Sequence, residues 1–299
     1  MTVTRAVPSE DPRAIALAWE RAYGRFDEID AIALHVRARR ALGRVLAWLD
    51  ERGIDALPVK GIVLANTVYA RPVERPLGDL DLKVRARDLD AIARLLATER
   101  GARLVRHSRI AGNVTGQIDL IEVDFETRIG APLVCALGID AIFARATRTR
   151  DGLGFEHLRI DVNDHALVLA LDRFKDHVGA KPWAAWDLAR IVREPGFTPS
   201  RFAERAAEAR CTTIVHVVAR HLSEAHGDAR WGEIAARVPP ARARYAERML
   251  ATLASGGPAA LAARVNARAA SDSPIRALAS VAVGAAWALG GFGSVARRE

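Results

Sequence analysis

Residues 75–84 read RPLGDLDLKV, a stretch in which apolar and acidic residues alternate. Side chains on a β-strand point alternately to its two faces. Leu80 and Leu82 would therefore face a core, while Asp79 and Asp81 would lie side by side on the opposite face. Two neighbouring carboxylates repel each other unless a positive group stands between them, and Mg²⁺ is a common partner for oxygen ligands. We expect a strand that carries a metal-binding pair, Asp79 and Asp81.

A third carboxylate is expected from residues 117–126, which read QIDLIEVDFE. Glu122, Asp124 and Glu126 would share one face of a strand, with apolar residues on the other face. Asp124 is flanked by apolar residues on both sides, as Asp81 is, so Asp124 is the favoured third ligand and Glu122 the alternative. Two metal ions held by such a set can keep an attacking oxygen and a triphosphate in line.

A second pattern is the pair Lys60-Gly61, which lies between a strand-like run and a predicted helix over residues 62–69. Backbone N–H groups at the start of a helix lack partners and bind phosphate. Lys60 adds a positive charge beside them, and Arg75 can donate two hydrogen bonds to one phosphate. An ordinary strand-to-helix turn with a surface lysine is the alternative interpretation.

The periodicity of the apolar residues predicts an α+β (α/β) protein in three parts. Residues 1–52 form an N-terminal helical segment, residues 53–150 form a core with a mixed β-sheet, and residues 151–299 form an all-helical C-terminal domain. Within the core we expect a helix over residues 88–99 with Asp88 as its N-cap, a turn at residues 112–116, and a strand over residues 117–128.

Composition excludes several classes of protein. The chain has 299 residues, of which 50% are hydrophobic and 27% charged, so it can build a core and is not wholly disordered. Its two cysteines exclude a disulfide framework and a four-cysteine zinc site. The N-terminus lacks the apolar segment of a secretory signal, so a cytoplasmic location is expected. Residues 277–296 carry no charge, but they are rich in Ala and Gly, so we expect a packed helix and no stable membrane insertion.

Charge is distributed unevenly along the chain. The net charge is +8, and residues 201–299 hold 14 arginines against 8 acidic residues. An acidic partner such as RNA would therefore meet the C-terminal third. An arginine-rich, solvated helical surface is the favoured interpretation of this pattern.

The two patterns together resemble a bacterial nucleotidyltransferase family of the DNA polymerase β superfamily. The resemblance is carried by VKGIVLA at residues 59–65, by Tyr69, and by RPLGDLDL at residues 75–82. Later segments are similar more loosely: VDFE at residues 123–126, and the helical region around His165–His177 and Trp186–Ala189.

The resemblance implies a minimal nucleotidyltransferase core. It implies that Asp79, Asp81 and Asp124 bind Mg²⁺ or Mn²⁺, and that Lys60, Gly61, Arg75 and Gly78 bind a nucleoside triphosphate. The reaction would move a nucleoside monophosphate, from ATP by preference, to a hydroxyl acceptor with release of pyrophosphate. The acceptor would be a small molecule, a peptide, a protein or an RNA end.

This chain departs from the family pattern at three places. The wider superfamily has Gly-Ser where Lys60-Gly61 stands, and Glu126 and Thr127 replace a histidine and an aromatic residue. A nucleotide-binding protein with weak catalysis, or a helical antitoxin-like interaction protein, is therefore the alternative. His177 and Asp187, on predicted helices, are secondary site candidates.

Overall fold

The protein is an α+β molecule, seen here in a computed structural model that describes residues 11–109, 111–175, 182–255, 265 and 268–290. Apart from the two chain ends, it consists of two compact units. The sheet unit comprises Ile15–Arg128 and Ile139–Asp161, and the helical unit comprises Ile129–Gly138 and Val162–Leu289. The three-part division of the chain stays a prediction.

The elements up to residue 161 are helices α1 to α5 and strands β1 to β7. In chain order they are α1 (Pro12–Tyr23), α2 (Glu28–Asp50), β1 (Ala56–Val59), α3 (Gly61–Thr67), β2 (Asp79–Val84), α4 (Leu89–Thr98), β3 (Ala102–Ser108), β4 (Asn113–Ile118), β5 (Ile121–Glu126), α5 (Ile139–Phe143), β6 (Thr147–Thr149) and β7 (His157–Arg159). Short 3-10 turns at Pro72–Glu74 and Ala86–Asp88 flank β2.

Strands β1 to β5 form one mixed sheet in the order β1-β2-β5-β4-β3. Strand β2 runs parallel to β5 and antiparallel to β1, while β4 is antiparallel to both β5 and β3. The helix α4 and the hairpin of β3 and β4 lie between β2 and β5 in the chain, which gives the length that a parallel connection requires. The predicted mixed sheet is confirmed.

One face of this sheet is covered by α2 and α4. The core there consists of apolar side chains on alternate strand positions and on the inner sides of both helices: Leu80, Leu82, Val84, Val114, Val123 and Phe125 from the strands, and Leu42, Val45, Leu49, Ile92, Leu95 and Leu96 from the helices. Burying a side chain of this size contributes roughly 2 kcal/mol. This packing fixes which face the intervening residues of β2 and β5 occupy.

The expected turn at residues 112–116 and the strand at 117–128 are wrong in their boundaries. Residues 113–118 form β4, and the turn lies at Asp119 and Leu120, both with positive φ (50° and 68°). Position 116 lies within β4 and favours a glycine, because a Cβ there would lie 2.6 Å from a methyl group of Leu96. The glycine therefore allows α4 to pack closely on the sheet, and it does not mark a turn.

The start of α4 confirms Asp88 as the residue before the first helical turn. Asp88 occupies the N-cap position, but its side chain makes no capping hydrogen bond, and the 3-10 turn Ala86–Asp88 leads directly into the helix. A helix can begin this way because the preceding turn already orders the backbone.

The helical unit holds the longer helices that follow residue 161 in the described part of the chain. They are α6 (Val162–Lys175), α7 (Pro182–Ile191), α8 (Pro199–Glu208), α9 (Thr212–His226), α10 (Ala229–Arg237), α11 (Ala243–Ala254) and α12 (Pro274–Gly290). In α12, which covers part of the uncharged stretch, Ser280 is buried and donates to the Pro132 carbonyl at 2.7 Å, while Leu278 is exposed. Among the residues that the structure describes, no helix combines the length and the apolar character needed to cross a membrane.

Candidate functional site

The carboxylates of β2 and β5 lie on the sheet face opposite α2 and α4. In the parallel register, Asp79 pairs with Glu122 and Asp81 pairs with Asp124. Paired residues on neighbouring strands point to the same side of a sheet, with strands about 4.8 Å apart. Glu122 is exposed, Asp79 and Asp124 are half-buried, and Asp81 is only 9% exposed. The structure therefore brings all four predicted carboxylates to one face, with Asp124 next to the most buried one.

Asp124 is held by its neighbour on β4. The Thr115 hydroxyl donates to Asp124 Oδ1 at 2.5 Å, and Arg106 Nη2 donates to the Thr115 hydroxyl at 3.3 Å. Burial raises the pKa of Asp124, and the negative charges of Asp81 and Glu126 raise it further, whereas the Thr115 hydrogen bond and the Arg106 charge lower it. The ionised form of Asp124 is thus disfavoured by its surroundings.

Lys60 lies directly after β1 and before α3, as the sequence predicted. Its Nζ donates to Asp81 Oδ1 at 3.0 Å, and the two side chains are 10% and 11% exposed. Its backbone has φ 58° and ψ −134°, a conformation that residues other than glycine rarely adopt. Such strain costs of order 1–3 kcal/mol and persists where the surroundings impose it. Lys60 is therefore a buried cation at the carboxylates, not a surface lysine.

Gly61, the first residue of α3, leaves room for the Arg75 side chain. A Cβ at this position would lie 2.7 Å from Arg75 Nη1 and 3.0 Å from a methyl group of Leu77. Arg75 is 8% exposed, and its Nη1 donates to the Pro76 carbonyl at 2.7 Å. The two predicted phosphate-binding residues are thus neighbours in space, although 13 positions of chain separate them.

Gly78 is exposed and precedes Asp79 at the start of β2. A Cβ at Gly78 would lie 3.4 Å from the Tyr23 hydroxyl, which is ordinary van der Waals contact. Burial raises the pKa of Tyr23 to about 12; the Asp79 charge raises it too, and the Arg75 charge lowers it. Tyr23 of α1 therefore lies close to the beginning of β2.

Sequence reasoning missed two polar partners on this face. Thr115 fell within the predicted turn, so its pairing with Asp124 could not be foreseen. Lys83, 1% exposed, forms an ion pair with Glu126 and donates to the Arg128 carbonyl at 2.8 Å. Lys83 lies two residues after Asp81 on a strand, so the alternation of side chains could have predicted that it shares the face of the carboxylates.

The secondary candidates lie elsewhere in the chain. His177 lies outside the described residues. Asp187 is buried on α7 in the helical unit, and its charge acts on Arg173. Burial lowers the pKa of Arg173 to about 10, and the Asp187 charge opposes this shift. Asp187 therefore serves as a counter-charge within its own unit.

The donor set suits a hard divalent cation in its chemistry. Asp79, Asp81 and Asp124 offer carboxylate oxygens on one face, and the repulsion between Asp81 and Asp124 is the kind that Mg²⁺ relieves. Over the described ranges, however, no three His, Cys, Asp or Glu side chains are gathered into a ready-made metal site. The positive charge at Asp81 comes from Lys60.

Fold and site together define an α+β protein with a row of carboxylates and adjacent cations on one sheet face. The chain belongs to the family described as "uncharacterised nucleotidyltransferase", whose sequence model matches residues 11–227. This membership supports general nucleotidyl transfer and a nucleotide substrate. No curated protein matches the chain.

Proposed function

We propose that this protein is a metal-dependent nucleotidyltransferase of the DNA polymerase β superfamily. It moves a nucleoside monophosphate from a nucleoside triphosphate, ATP by preference, to a hydroxyl acceptor. The acceptor oxygen forms a bond to the α-phosphorus, and the bond between the α-phosphorus and the oxygen that bridges it to the β-phosphorus breaks. Pyrophosphate leaves, and the acceptor hydroxyl loses its proton. The observation that carries the proposal is the parallel register that pairs Asp79 with Glu122 and Asp81 with Asp124.

The proposed metal ligands are Asp79, Asp81 and Asp124, with Glu122 as the alternative third ligand. Mg²⁺ or Mn²⁺ bound there would neutralise the triphosphate and acidify the acceptor hydroxyl. Asp124 is the better third ligand because it is the direct cross-strand neighbour of Asp81, whereas Glu122 is exposed beside Asp79.

The proposed triphosphate contacts are Lys60, Gly61, Arg75 and Gly78. Lys60 is a buried cation paired with Asp81, and Arg75 is a buried cation beside Gly61. Such cations hold phosphate oxygens with short, charge-assisted hydrogen bonds. Gly61 supports the proposal indirectly, since a side chain there would displace the Arg75 guanidinium. Charge stabilisation and positioning supply most of the catalysis in reactions of this kind.

The direct test is transfer of label from an α-³²P-labelled nucleoside triphosphate. Each of the four nucleotides would be incubated with Mg²⁺ or Mn²⁺ and with separate acceptor pools of small hydroxyl compounds, peptides, proteins and RNA. We expect label in one pool and equimolar pyrophosphate, both lost in Asp79→Asn/Asp81→Asn. Labelling that persists in this double variant would contradict the proposal.

The two alternative functions predict different binding and product formation, in wild type and in the Asp79→Asn/Asp81→Asn variant. A weakly catalytic nucleotide-binding protein would bind triphosphate with metal and form no product. An antitoxin-like protein that uses its basic C-terminal third would bind RNA equally well in wild type and double variant, with strong dependence on salt. Several arginines of that third pair with acidic residues within one helical turn, such as Arg220 with Glu224 and Arg237 with Glu233, which favours the solvated-surface interpretation.

A further inference from the structure

Side chains from α1 and α2 bind three backbone carbonyls of the segment that leads into β2. Trp19 Nε1 donates to the Val73 carbonyl at 2.8 Å. His35 Nε2 lies 3.1 Å from the Arg75 carbonyl, and the Tyr23 hydroxyl donates to the Leu77 carbonyl. We call residues 73–77 the entry segment. Every second carbonyl of this segment thus receives a side-chain donor from the N-terminal helices.

This bonding compensates for the burial of the segment. Loop carbonyls usually bind water or nearby backbone, because loops run over the surface. Val73, Arg75 and Leu77 are all buried, so their carbonyl groups need protein donors, and an unpaired buried carbonyl costs about 1–3 kcal/mol. The N-terminal helices meet this need with side chains at positions 19, 23 and 35.

Trp19 packs against both of the other donors. The Trp19 ring centroid lies 5.3 Å from that of Tyr23 and 6.1 Å from that of His35, the latter in an edge-on arrangement. Trp19 and His35 are about 5% exposed. Since a carbonyl can only accept, the bond from His35 requires a proton on Nε2. Burial lowers the pKa of His35 to about 4, which keeps the ring neutral. Trp19 and His35 are therefore a buried pair, and Tyr23, which is 45% exposed, joins them through its ring contact with Trp19.

The entry segment carries the groups that matter to the proposed reaction. Arg75 lies at its centre, against Gly61, and Asp79 follows two residues after its end. The Tyr23 hydroxyl is near enough to both for their charges to act on it. A shift of this segment by 1 Å would move the Arg75 guanidinium and the start of β2 together, and shifts of that size strongly weaken catalysis.

We infer that Trp19, Tyr23 and His35 are positioning residues that hold the entry segment so that Arg75 and Asp79 are presented to the triphosphate. The inference rests on the proposed nucleotide-binding function. None of the three residues needs to touch substrate, since each acts through a backbone carbonyl. The N-terminal helical segment thus becomes part of the site and not only a cover for the sheet.

The test uses variants that remove a donor and keep a large side chain in its place. They are Trp19→Phe, Tyr23→Phe and His35→Leu, with His35→Gln as the variant that restores an N–H donor at similar reach. Trp48→Phe, a change of the same kind on α2 at a partly buried ring that packs against the core, is the matched control. Two quantities would be measured in the full chain: the Kd for ATP with Mg²⁺, and amide hydrogen exchange in a peptide that spans the entry segment.

We expect each donor-removing variant to raise the Kd by about fivefold and to speed exchange in that peptide by a similar factor, as loss of one hydrogen bond predicts. Trp48→Phe should change neither quantity, and His35→Gln should recover most of both. An unchanged Kd in the three variants, with wild type binding normally, would overturn the inference and leave the proposed function standing. Failure of wild type to bind any of the four nucleoside triphosphates would refute the proposed function, and the inference with it.

Discussion

Lys60 carries two features that an ordinary turn residue lacks: a left-handed backbone and a buried ammonium group. The backbone conformation favours glycine, yet the chain keeps a lysine there and places its Nζ 3.0 Å from Asp81. The ion pair with Asp81 offsets the cost of burying both groups beside Asp124. At the scale of single residues, this pair is the best-defined feature of the site.

Replacing Lys60 by Met tests whether a metal ion can take over its charge. We expect Lys60→Met to lower the free energy of unfolding by about 3 kcal/mol, the usual cost of breaking a buried ion pair. Millimolar Mg²⁺ should then raise the midpoint of thermal unfolding more in this variant than in wild type, because the carboxylates lack their resident cation. Thermal unfolding with and without Mg²⁺ checks both statements.

Lys83→Met is the control for that experiment, since it removes an ammonium group on β2 that pairs with Glu126 of β5. It should destabilise the protein to a similar extent, but Mg²⁺ should not restore stability. Equal restoration in both variants would mean that Mg²⁺ acts without regard to the proposed site.

His35 gives a pH dependence whose sign is fixed by its environment. Burial and the nearby Arg75 charge lower the pKa of His35 from 6.5 to about 4, although the hydrogen bond with the Arg75 carbonyl raises it. The neutral ring therefore stabilises the fold above pH 6.5, and this contribution is lost as the pH falls toward 4. At pH 5 the loss is about 2 kcal/mol relative to pH 8.

Urea unfolding of wild type and His35→Gln at both pH values measures this contribution. The glutamine variant should lose less stability on going from pH 8 to pH 5. Burial also lowers the pKa of His221 to about 4, but His221 is present in both proteins, so its effect cancels. Parallel pH profiles for the two proteins would show that His35 does not titrate as its burial implies.

Among the elements, strand β2 could be predicted from the alternation in its sequence, because one face of the strand is wholly apolar. The core side chains Leu80 and Leu82 are fully buried, and the alternating acidic positions Asp79 and Asp81 lie on the other face, as expected. The boundary of β4 was not readable, since Gly116 serves helix packing and the actual turn uses Asp119 and Leu120. Long-range packing, which periodicity does not encode, decided this boundary.

The same limit applies to the site. The carboxylates, Lys60-Gly61 and Arg75 could be predicted from local patterns and from the family resemblance. The hydroxyl of Thr115 and the donors Tyr23 and His35 could not, because each meets its partner across a different element. Contacts of this kind depend on the strand register and on how helices dock, which the sequence pattern alone does not determine.

The register of β2 and β5 predicts which acid is the third ligand. Asp124→Asn should lower the rate of label transfer by about 10²-fold, the usual loss when one electrostatic group is removed from an active site. Glu122→Gln should remain close to wild type, because Glu122 is exposed and pairs with Asp79 rather than Asp81. The labelled-nucleotide assay compares the two, and a larger loss in Glu122→Gln would exchange their assignments.

Gly61→Ala probes the junction between β1 and α3. The added methyl group would push the Arg75 guanidinium away, since it would lie 2.7 Å from Nη1. We expect the Kd for ATP with Mg²⁺ to rise about tenfold, as loss of one charge-assisted hydrogen bond predicts. Gly138→Ala, where a Cβ meets nothing within 4 Å, is the control and should leave the Kd unchanged. A tenfold rise in the control, or none in Gly61→Ala, would contradict this role of the glycine.

In the whole molecule, the excess of positive charge and the candidate site lie in different parts of the chain. The excess of arginine lies in residues 201–299, whereas the carboxylates, Lys60 and Arg75 lie in the sheet unit. The net charge therefore says little about the proposed reaction. Binding of triphosphate would depend on two buried cations of the sheet unit, Lys60 and Arg75.

The most direct measurement is thermal unfolding of wild type and Asp79→Asn/Asp81→Asn with each of the four nucleoside triphosphates, with and without Mg²⁺ or Mn²⁺. A saturating ligand raises the midpoint by about 2–8 °C for a chain of this size. We predict such a rise in wild type, only with metal present and largest with ATP, and no rise in the folded double variant. A rise of equal size in both proteins, or none with any nucleotide in wild type, would contradict a metal-dependent nucleotide site at Asp79 and Asp81.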